Sequence, residues 1–414
     1  MRALALLLFL QAQEGAPTLL SVTSRGESNK VALVFSKPLD QATAEAAASY
    51  SIDNGVKVES ATRGIDLKTV TLTTSPLVEG VTYTVKLKDG TARPFVYVKG
   101  LFGSAPKEEP RAMRLPKFSK PVLFNTPEAD AILAALQVFP KNNPWNEDIS
   151  KRPVHPDSDK MIASVGKDKT VRVNFDMAFV LVPPHQPRIE VKLKSPDESD
   201  KGPYPVPDNA PIEGWPLDGA TLEASQQGGG SDRHLIVVDP AAGMLYEFFR
   251  AFKRPTGWEA GNEATFDLKA NKMRPRTWSS ADAAGLPIFP SLPRFEECES
   301  GGVDHALRVT VSKTRKAFLY PASHQAGSTD AATVPAMGQR FRLKASVDVS
   351  AFPRHAQAVA AAMKKYGLLV ADNGSDWDIS VPPDTRLKGL EALRKLKGSD
   401  FEVIVTTGEN ELSR

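Results

Sequence analysis

The stretch Thr82-Tyr-Thr-Val-Lys-Leu-Lys88 alternates apolar and polar side chains with a period of two. Successive side chains of a β-strand point to opposite faces of a sheet, so Tyr83, Val85 and Leu87 would share one face. Threonine and lysine would occupy the other face. This pattern predicts a half-buried strand and assigns the first quarter of the chain to the all-β class.

Six more short strand candidates surround this stretch, and turn-forming residues separate them. They are Leu19 to Thr23, Val31 to Ser36, Ala48 to Ile52, Val56 to Ser60, Val70 to Thr73 and Phe95 to Val98. Asn54-Gly55 predicts a hairpin, because both residues tolerate the positive φ angles of a tight two-residue turn. Seven short strands in roughly 80 residues are typical of a β-sandwich.

Three segments of this region, Val31 to Asp40, Ala48 to Gly55 and Val70 to Leu77, resemble the immunoglobulin-like modules of bacterial surface and secreted proteins. The resemblance implies an immunoglobulin-like β-sandwich over residues 17–99 that spaces, docks or supports its neighbour. The segment contains no histidine and no tryptophan. We therefore expect no catalytic or metal site there.

Length and charge limit the function classes that remain. The 414 residues favour two domains. The 52 Lys and Arg residues nearly balance 49 Asp and Glu residues and form no long basic run, which argues against a nucleic-acid partner. A single cysteine excludes an intrachain disulfide and a four-cysteine metal site.

The N-terminus predicts export. Met1-Arg2 is followed by the apolar run Ala-Leu-Ala-Leu-Leu-Leu-Phe-Leu, which ends at Leu10 and is too short for a membrane-spanning helix. We interpret residues 1–16 as a signal peptide, with a buried N-terminal strand or helix as the alternative. No later stretch has about 18 consecutive apolar residues. The expected product is a secreted or periplasmic protein without a membrane span.

Residues 100–126 differ in composition from the regions on either side. Pro106 to Pro121 is rich in proline and charged residues and shows little periodicity, which predicts a semi-extended linker. The alternative is a strap packed across the second domain. The larger domain would then comprise residues 127–410.

The sequence predicts that the larger domain is mostly β. Leu235 to Asp239 and Met244 to Phe249 flank a turn and predict a hairpin. Further strand candidates are Thr265 to Leu268, Ala306 to Val311, Ala317 to Tyr320 and Arg340 to Val347. Helices are predicted at Glu128 to Val138, Pro353 to Tyr366 and Thr385 to Lys397. The predicted fold is mainly β: an immunoglobulin-like β-sandwich followed by a larger β-sandwich-type domain with C-terminal helices.

Five motifs of this domain resemble a domain that recurs in predicted secreted bacterial proteins. They are Asp232 to Asp239, Leu245 to Glu247, Trp278 to Pro287, Asp304 to Arg308 and Met337 to Arg340. The resemblance spans roughly residues 138–405. It implies an exported protein and these domain limits, but it assigns no reaction.

The candidate catalytic residues are Asp232, His234, Glu247, Asp304 and His305. Asp232 and His234 are two positions apart and would project on the same side of a strand. Histidine can exchange protons near neutral pH, and glycosidic hydrolysis needs two carboxyl groups. If these strand ends converge, the groups would surround one solvent-reachable cleft. Otherwise each histidine satisfies a local hydrogen bond, and Glu247 is the outward member of its strand.

The candidate substrate-binding residues are Trp145, Trp215, His324 and Arg308. Both tryptophans lie in turn-like sequence and could offer rings on which sugars stack, although core anchoring is the commoner use of this residue. No pair of histidines has the spacing of a zinc-binding helix, and no phosphate-binding or dinucleotide motif occurs. Cofactor and metal therefore remain unknown.

The function expected from this sequence is that of a secreted protein binding or cleaving an extracellular polysaccharide. Export, a modular β architecture and the tryptophan, histidine and acidic residues of the larger domain motivate this hypothesis. The alternative is a non-catalytic cell-envelope or adhesion protein. Metal-dependent chemistry is a third possibility.

Overall fold

A computed structural model describes residues 16–24, 28–64, 67–97 and 115–406. The chain divides into two compact units, residues 1–112 and residues 113–414. The predicted signal peptide lies outside the described residues apart from Ala16, as do residues 100–114 of the predicted linker. No helix within the described ranges is long and apolar enough to cross a membrane.

In the part of unit 1 that the structure describes, the strands form two antiparallel sheets, ordered β1-β2-β5-β4 and β3-β6-β7. Its elements are β1 (Leu19–Thr23), β2 (Lys30–Phe35), α1 (Gln41–Glu45), β3 (Tyr50–Ile52), β4 (Val58–Arg63), β5 (Thr69–Thr74), β6 (Thr82–Leu87) and β7 (Ala92–Val96). Buried residues of both sheets form one hydrophobic core. Each predicted strand of this region is present; β1 has the predicted ends, and the other strands have shifted ends.

The period of two in β6 positions its side chains as the sequence predicts. Tyr83 and Val85 are buried in the core of unit 1, and Leu87 is half-buried against it. Thr82 and Lys86, from the polar positions, are exposed. The free energy of apolar burial therefore fixes the face that β6 turns inward.

The hairpin predicted at Asn54-Gly55 is wrong, although the turn itself is present. Both residues have positive φ, 56° and 74°. The strands on either side do not pair with each other, because β3 pairs with β6 while β4 pairs with β5. The turn thus carries the chain from one sheet to the other.

The described residues of unit 2 form three sheets, ordered β16-β13-β12-β10-β8, β21-β18-β19-β17-β20-β9 and β11-β15-β14. Its strands are β8 (Val122–Leu123), β9 (Arg172–Phe175), β10 (Phe179–Leu181), β11 (Val191–Leu193), β12 (Leu235–Asp239), β13 (Met244–Phe249), β14 (Phe252–Arg254), β15 (Gly257–Ala260), β16 (Asn262–Asp267), β17 (Leu307–Val311), β18 (Arg340–Leu343), β19 (Leu368–Asn373), β20 (Asp378–Val381) and β21 (Phe401–Val403). Its α-helices are α2 (Pro127–Ala135), α3 (Ser158–Val165), α4 (Leu222–Gln227), α5 (Phe295–Ser300) and α6 (Arg354–Lys365).

Strand β12 explains how the core of unit 2 is divided. Its run Leu235-Ile-Val-Val238 is buried on both faces. Ile236 and Val238 belong to the large core that also contains residues of the six-stranded sheet and of α2, α3 and α6. Leu235 and Val237 belong to a second core shared with β15. A central strand covered on both sides requires this continuous apolar run rather than an alternation.

The predicted hairpin and the main C-terminal helix are confirmed. β12 and β13 pair in antiparallel register from Leu235↔Phe248 to Asp239↔Met244. Helix α6 follows Pro353, as predicted, and Gly367 lies just beyond it at φ 78°. A Cβ atom on Gly367 would lie 2.4 Å from the carbonyl oxygen of Phe341, so a side chain does not fit there.

Other details of the predicted second domain are corrected. Helices occur along the whole unit and not only near its C-terminus, and several strand pairs are parallel. The helix predicted at Thr385 to Lys397 is only a 3₁₀ segment, Leu390–Lys395, because Gly389 precedes it in the left-handed conformation. Residues 317–320 form an isolated bridge through Phe318 instead of a strand. Residues 115–126, expected in the linker, lie in unit 2, where they contribute β8.

Candidate functional site

Three neighbouring strands of the six-stranded sheet alternate strictly between apolar and polar residues. Their apolar members, which include Val309, Val311 and Ile379, are buried in the large core. Their polar members therefore share the opposite face of the sheet. We call this surface the polar face; it comprises Arg308 and Thr310 of β17, Asp378 and Ser380 of β20, and Arg172 and Asn174 of β9.

Arg308 is the buried centre of the polar face. Its Nε and Nη2 donate to the two carboxylate oxygens of Asp282 at 2.9 and 2.5 Å, and its Nη1 donates to Ser380 Oγ at 2.5 Å. Burial opposes the positive charge, but Asp282, Asp176 and Asp372 outweigh it and raise the pKa of Arg308. This guanidinium is permanently charged and bidentate.

Two further carboxyl groups near Arg308 have strongly raised pKa values. Burial raises the pKa of Asp176 to about 8 and that of Asp372 to about 7, although Arg308 opposes both shifts. Asp176 Oδ2 accepts from Asn174 Nδ2 at 2.7 Å, whereas Oδ1 is buried without a hydrogen-bond partner in the described part of the chain. Asp372 accepts from the backbone N–H of Asn373 at 2.6 Å. Groups with such pKa values can exchange protons near neutral pH.

His234 lies within electrostatic reach of Arg308. Its ring is buried beside Phe249, and its Nδ1 has no partner among the described residues. Burial and the charge of Arg308 lower the pKa of His234 to about 3, so the imidazole is neutral at physiological pH. This histidine therefore cannot act as a cationic acid in this state.

Asp232 and His234 do not project together as predicted. Arg233 between them has φ 53°, so the chain is not extended there and β12 begins only at Leu235. Asp232 is exposed, whereas His234 is buried. Asp232 still belongs to the same electrostatic neighbourhood: burial raises the pKa of Asp282, Arg308 opposes the shift, and Asp232 adds to it.

Glu247 has a structural role in this conformation. It is fully buried rather than outward, and its two oxygens accept hydrogen bonds from the backbone N–H groups of Ile288 and Phe289 at 2.8 to 3.0 Å. These bonds satisfy the start of the 3₁₀ segment Phe289–Ser291. Burial nevertheless raises the pKa of Glu247 to about 8.

Asp304 and His305 do not converge with His234. Asp304 is exposed and accepts from the Tyr366 hydroxyl at 3.0 Å. His305 Nε2 lies 3.2 Å from a Glu297 oxygen, and its Nδ1 lies 3.0 Å from the carbonyl oxygen of Ala306. The partners of this pair are Glu297 of α5 and Tyr366, which directly follows α6, and not residues of the polar face. The single hollow predicted to contain Asp232, His234, Asp304 and His305 is therefore not formed.

The candidate substrate-binding residues occupy different environments. Trp145 is 1% exposed, donates to Ser291 Oγ and packs against Phe139, so it anchors the core and offers no ring to a sugar. Trp215 is half-buried. It follows Gly214, whose N–H donates to the carbonyl oxygen of Asp176 at 2.7 Å. Trp215 itself packs against the large core of unit 2.

His324 also lies at the edge of this site. Its ring is half-buried, and its Nδ1 lies 2.7 Å from the carbonyl oxygen of Ala283, the neighbour of Asp282. The N–H of Ala283 in turn faces Asp372 Oδ2 at 3.4 Å. His324 therefore supports the segment that carries the main partner of Arg308.

The residues at the site do not make a metal centre. In the ranges that the structure describes, no three His, Cys, Asp or Glu side chains are arranged to hold a metal ion. Asp372 and Asp376, which lie close in sequence, point to different partners. Asp376 accepts from Lys169 Nζ at 2.6 Å and from the Ser312 N–H at 2.7 Å.

Sequence reasoning missed the carboxyl groups of Asp176, Asp282 and Asp372 as site residues. The signal that could have found their location is the alternation of Arg172-Val-Asn-Phe175, Leu307-Arg-Val-Thr-Val311 and Asp378-Ile-Ser-Val381. Each stretch predicts a strand with a charged face over an apolar one. Charged residues on one face of a mostly buried sheet need partners, and the adjoining acidic residues supply them.

Comparison with known proteins identifies no family for this chain. No protein-family model matches it, and no curated protein matches it. Two solved structures share short similarities: the S-layer protein rSbsC(31-844), at 24% identity and a TM-score of 0.18, and domains 1-6 of the surface layer protein SbsC, at 27% identity and a TM-score of 0.18. Each match covers 26% of this chain, and the chain spans only 15% and 17% of those proteins.

Proposed function

We propose that this protein is exported and binds or cleaves an extracellular polysaccharide at the polar face of unit 2. The observation that carries the proposal is that three carboxyl groups from separate segments interact electrostatically with Arg308. They are those of Asp176, Asp282 and Asp372, of which Asp282 is also hydrogen-bonded to Arg308. Buried ionisable groups with strongly shifted pKa values are concentrated at functional sites. Asp282 and Arg308 lie in two of the motifs that resemble a domain recurring in predicted secreted bacterial proteins.

Asp176 and Asp372 are the groups proposed to touch the glycosidic bond. With a pKa of about 8, Asp176 holds a proton at neutral pH and can donate it to a leaving oxygen. Asp372, with a pKa of about 7, is partly ionised at the same pH and can serve as base or nucleophile. Arg308 would position the surrounding carboxylates, and the half-buried Trp215 would offer an apolar surface to a sugar ring.

The export part of the proposal rests on the sequence from Met1 to Leu10. Unit 1 is proposed to be an immunoglobulin-like accessory module that presents unit 2 to its ligand or to the cell envelope. Its two sheets around one core are compatible with that role.

A non-catalytic cell-envelope or adhesion protein is the second candidate. It is favoured by the structural hydrogen bonds of Glu247 and His305 and by the buried position of Trp145. In that case the carboxyl groups near Arg308 only stabilise the loops that cover the sheet. Binding without cleavage distinguishes this candidate from the first.

The test compares the wild type with Asp176→Asn and Asp372→Asn on a broad polysaccharide panel. Retention measures binding, and new reducing ends measure cleavage. For an enzyme, we expect each variant to lose cleavage by about 10²- to 10⁴-fold. Asp330→Asn is the control, because this side chain is 82% exposed and its ion-pair partner among the described residues is Lys316.

The outcomes of this test are distinct. Retention of a polysaccharide with no new reducing ends supports the non-catalytic candidate. An equal loss of cleavage in Asp330→Asn would remove the assignment of Asp176 and Asp372. Absence of both binding and cleavage across the panel would overturn the carbohydrate proposal itself.

A further inference from the structure

Two surface pockets adjoin the open end of the polar face. One has a volume of about 510 Å³, and the other has a volume of about 560 Å³. Both are lined by Thr170, Arg172 and Ser375, so they form one continuous groove along β9, the edge strand of the six-stranded sheet. The groove reaches the candidate site through Asn174, which lines it and donates to Asp176.

In the two ion pairs that line the groove, the cationic side chain is exposed and the carboxylate is largely buried. The Lys169 side chain is 59% exposed, whereas its partner Asp376 is 6% exposed. The Arg172 side chain is 64% exposed, whereas its partner Asp378 is 14% exposed. A ligand entering the groove would therefore meet cationic groups before it meets their carboxylates.

Arg394 adds an exposed guanidinium at the same place. It lines the groove, and its side chain makes no hydrogen bond or close ion pair with the described residues, although its charge opposes the rise in the pKa of Asp378. The exposed carboxylate of the groove, Asp168, lies 3.3 Å from Lys167 Nζ. The lining thus holds three cationic and three acidic side chains, but two of the three carboxylates, Asp376 and Asp378, are largely buried. The charge that faces a ligand is therefore mainly positive.

We infer that this groove binds a carboxylate-bearing polysaccharide, with Arg394 and Arg172 receiving the acidic groups of successive sugar units. A planar guanidinium matches a carboxylate with two parallel hydrogen bonds, which a neutral sugar cannot offer. Asn174, Thr170 and Ser375 provide polar groups for the sugar hydroxyls. The inference rests on the proposed function and specifies its substrate class.

The experiment measures binding of the full chain to polygalacturonate, to neutral galactan and to polyglutamate at two salt concentrations. Arg394→Gln is the test variant. Arg354→Gln is its control, since Arg354 is 62% exposed and pairs with the half-exposed Glu299 outside the groove. We expect polygalacturonate to bind more tightly than galactan, Arg394→Gln to weaken that binding about tenfold, and the control to stay within about twofold.

Tighter binding of galactan, or unchanged polygalacturonate binding by Arg394→Gln, would overturn this inference and leave the proposed function standing. Equal binding of polyglutamate would also overturn it, because the groove would then recognise charge without a sugar. Failure to bind polygalacturonate would overturn this inference, whereas the proposed function falls only if the broad polysaccharide panel also shows neither binding nor cleavage. Tryptophan fluorescence of Arg394→Gln verifies that unit 2 is folded.

Discussion

Glu263 shows what a buried carboxyl group does to the stability of this protein. The residue lies in β16 with no exposed surface. Its Oε1 accepts from the Thr265 hydroxyl at 2.7 Å, while Oε2 has no partner in the described ranges. Burial raises the pKa of Glu263 to about 8, because the charged form would lose its hydration.

The first prediction is that Glu263→Gln reduces the loss of stability with rising pH. In the native state Glu263 keeps its proton to about pH 8, whereas the ordinary value for an unfolded chain is 4.5. The native state therefore binds more protons between these values, and the free energy of unfolding falls as pH rises from about 4.5 to about 8. Glutamine carries no charge at any pH in this range, so its contribution stays constant.

Urea unfolding followed by tryptophan fluorescence at pH 5, 6, 7 and 8 measures this effect. One unit of pKa corresponds to about 1.4 kcal/mol, so the difference between variant and wild type should grow by a few kcal/mol across the series. Glu391→Gln is the control, because Glu391 is exposed. Parallel curves for wild type and Glu263→Gln would contradict the prediction.

The site shows how far single residues can be assigned from sequence. His234, Glu247 and Arg308 were candidate residues, and the structure brings all three into one electrostatic neighbourhood. Their roles could not be predicted, because they depend on partners that are distant in sequence. Asp282 lies 26 positions from Arg308, and Ile288 lies 41 positions from Glu247. Local patterns predict which face of a strand is buried, but they do not predict which loop covers that face.

At the scale of elements, β17 combines the core and the polar face in five residues. Val309 and Val311 are fully buried, and Thr310 between them is half-buried with its hydroxyl donating to the carbonyl oxygen of Ser375 at 2.6 Å. The strand is stabilised on one face by apolar burial and on the other by polar contacts. A polar group introduced on the apolar face should therefore destabilise the protein, and so should the removal of a polar group from the polar face.

The second prediction compares Val309→Thr with Thr310→Val, two substitutions that preserve shape. Val309→Thr places a hydroxyl in the apolar core and should lower the free energy of unfolding by about 1–3 kcal/mol. Thr310→Val removes one hydrogen bond at a partly exposed position and should cost about 1 kcal/mol or less. Urea unfolding followed by tryptophan fluorescence measures both. A larger loss for Thr310→Val would mean that the core of unit 2 does not lie on the Val309 side.

Elements with strong local signals were the predictable ones. Alternation identified β6, and Pro353 with Gly367 bounded α6. The partners of a strand were less predictable, as Asn54-Gly55 shows. Local backbone preference sets the turn at these residues, whereas the pairing of β3 with β6 decides which sheet β3 joins. The parallel pairs of unit 2 join strands that are far apart in sequence, so no local pattern reveals them.

At the scale of the whole molecule, the hydrophobic core of unit 1 is separate from the large core of unit 2. Leu72 belongs to the core of unit 1, and Leu245 belongs to the large core of unit 2; both are fully buried. Every tryptophan of the chain follows residue 144 and therefore lies in unit 2. Tryptophan fluorescence consequently reports on unit 2, and a destabilised unit 1 needs a second measurement.

The third prediction is that a cavity in one core destabilises that unit alone. Leu245→Ala should lower the tryptophan-monitored free energy of unfolding by about 2–5 kcal/mol, because truncation of a buried leucine removes apolar contacts and leaves a cavity. Leu72→Ala should change the same quantity by less than about 0.5 kcal/mol, since no contact of the unit 2 core is removed. Hydrogen exchange of peptides from β2 and β5 should instead accelerate in Leu72→Ala, because these strands pair around that residue. If Leu72→Ala lowered the tryptophan-monitored value as much as Leu245→Ala does, the two cores would unfold in one cooperative transition and the prediction would be wrong.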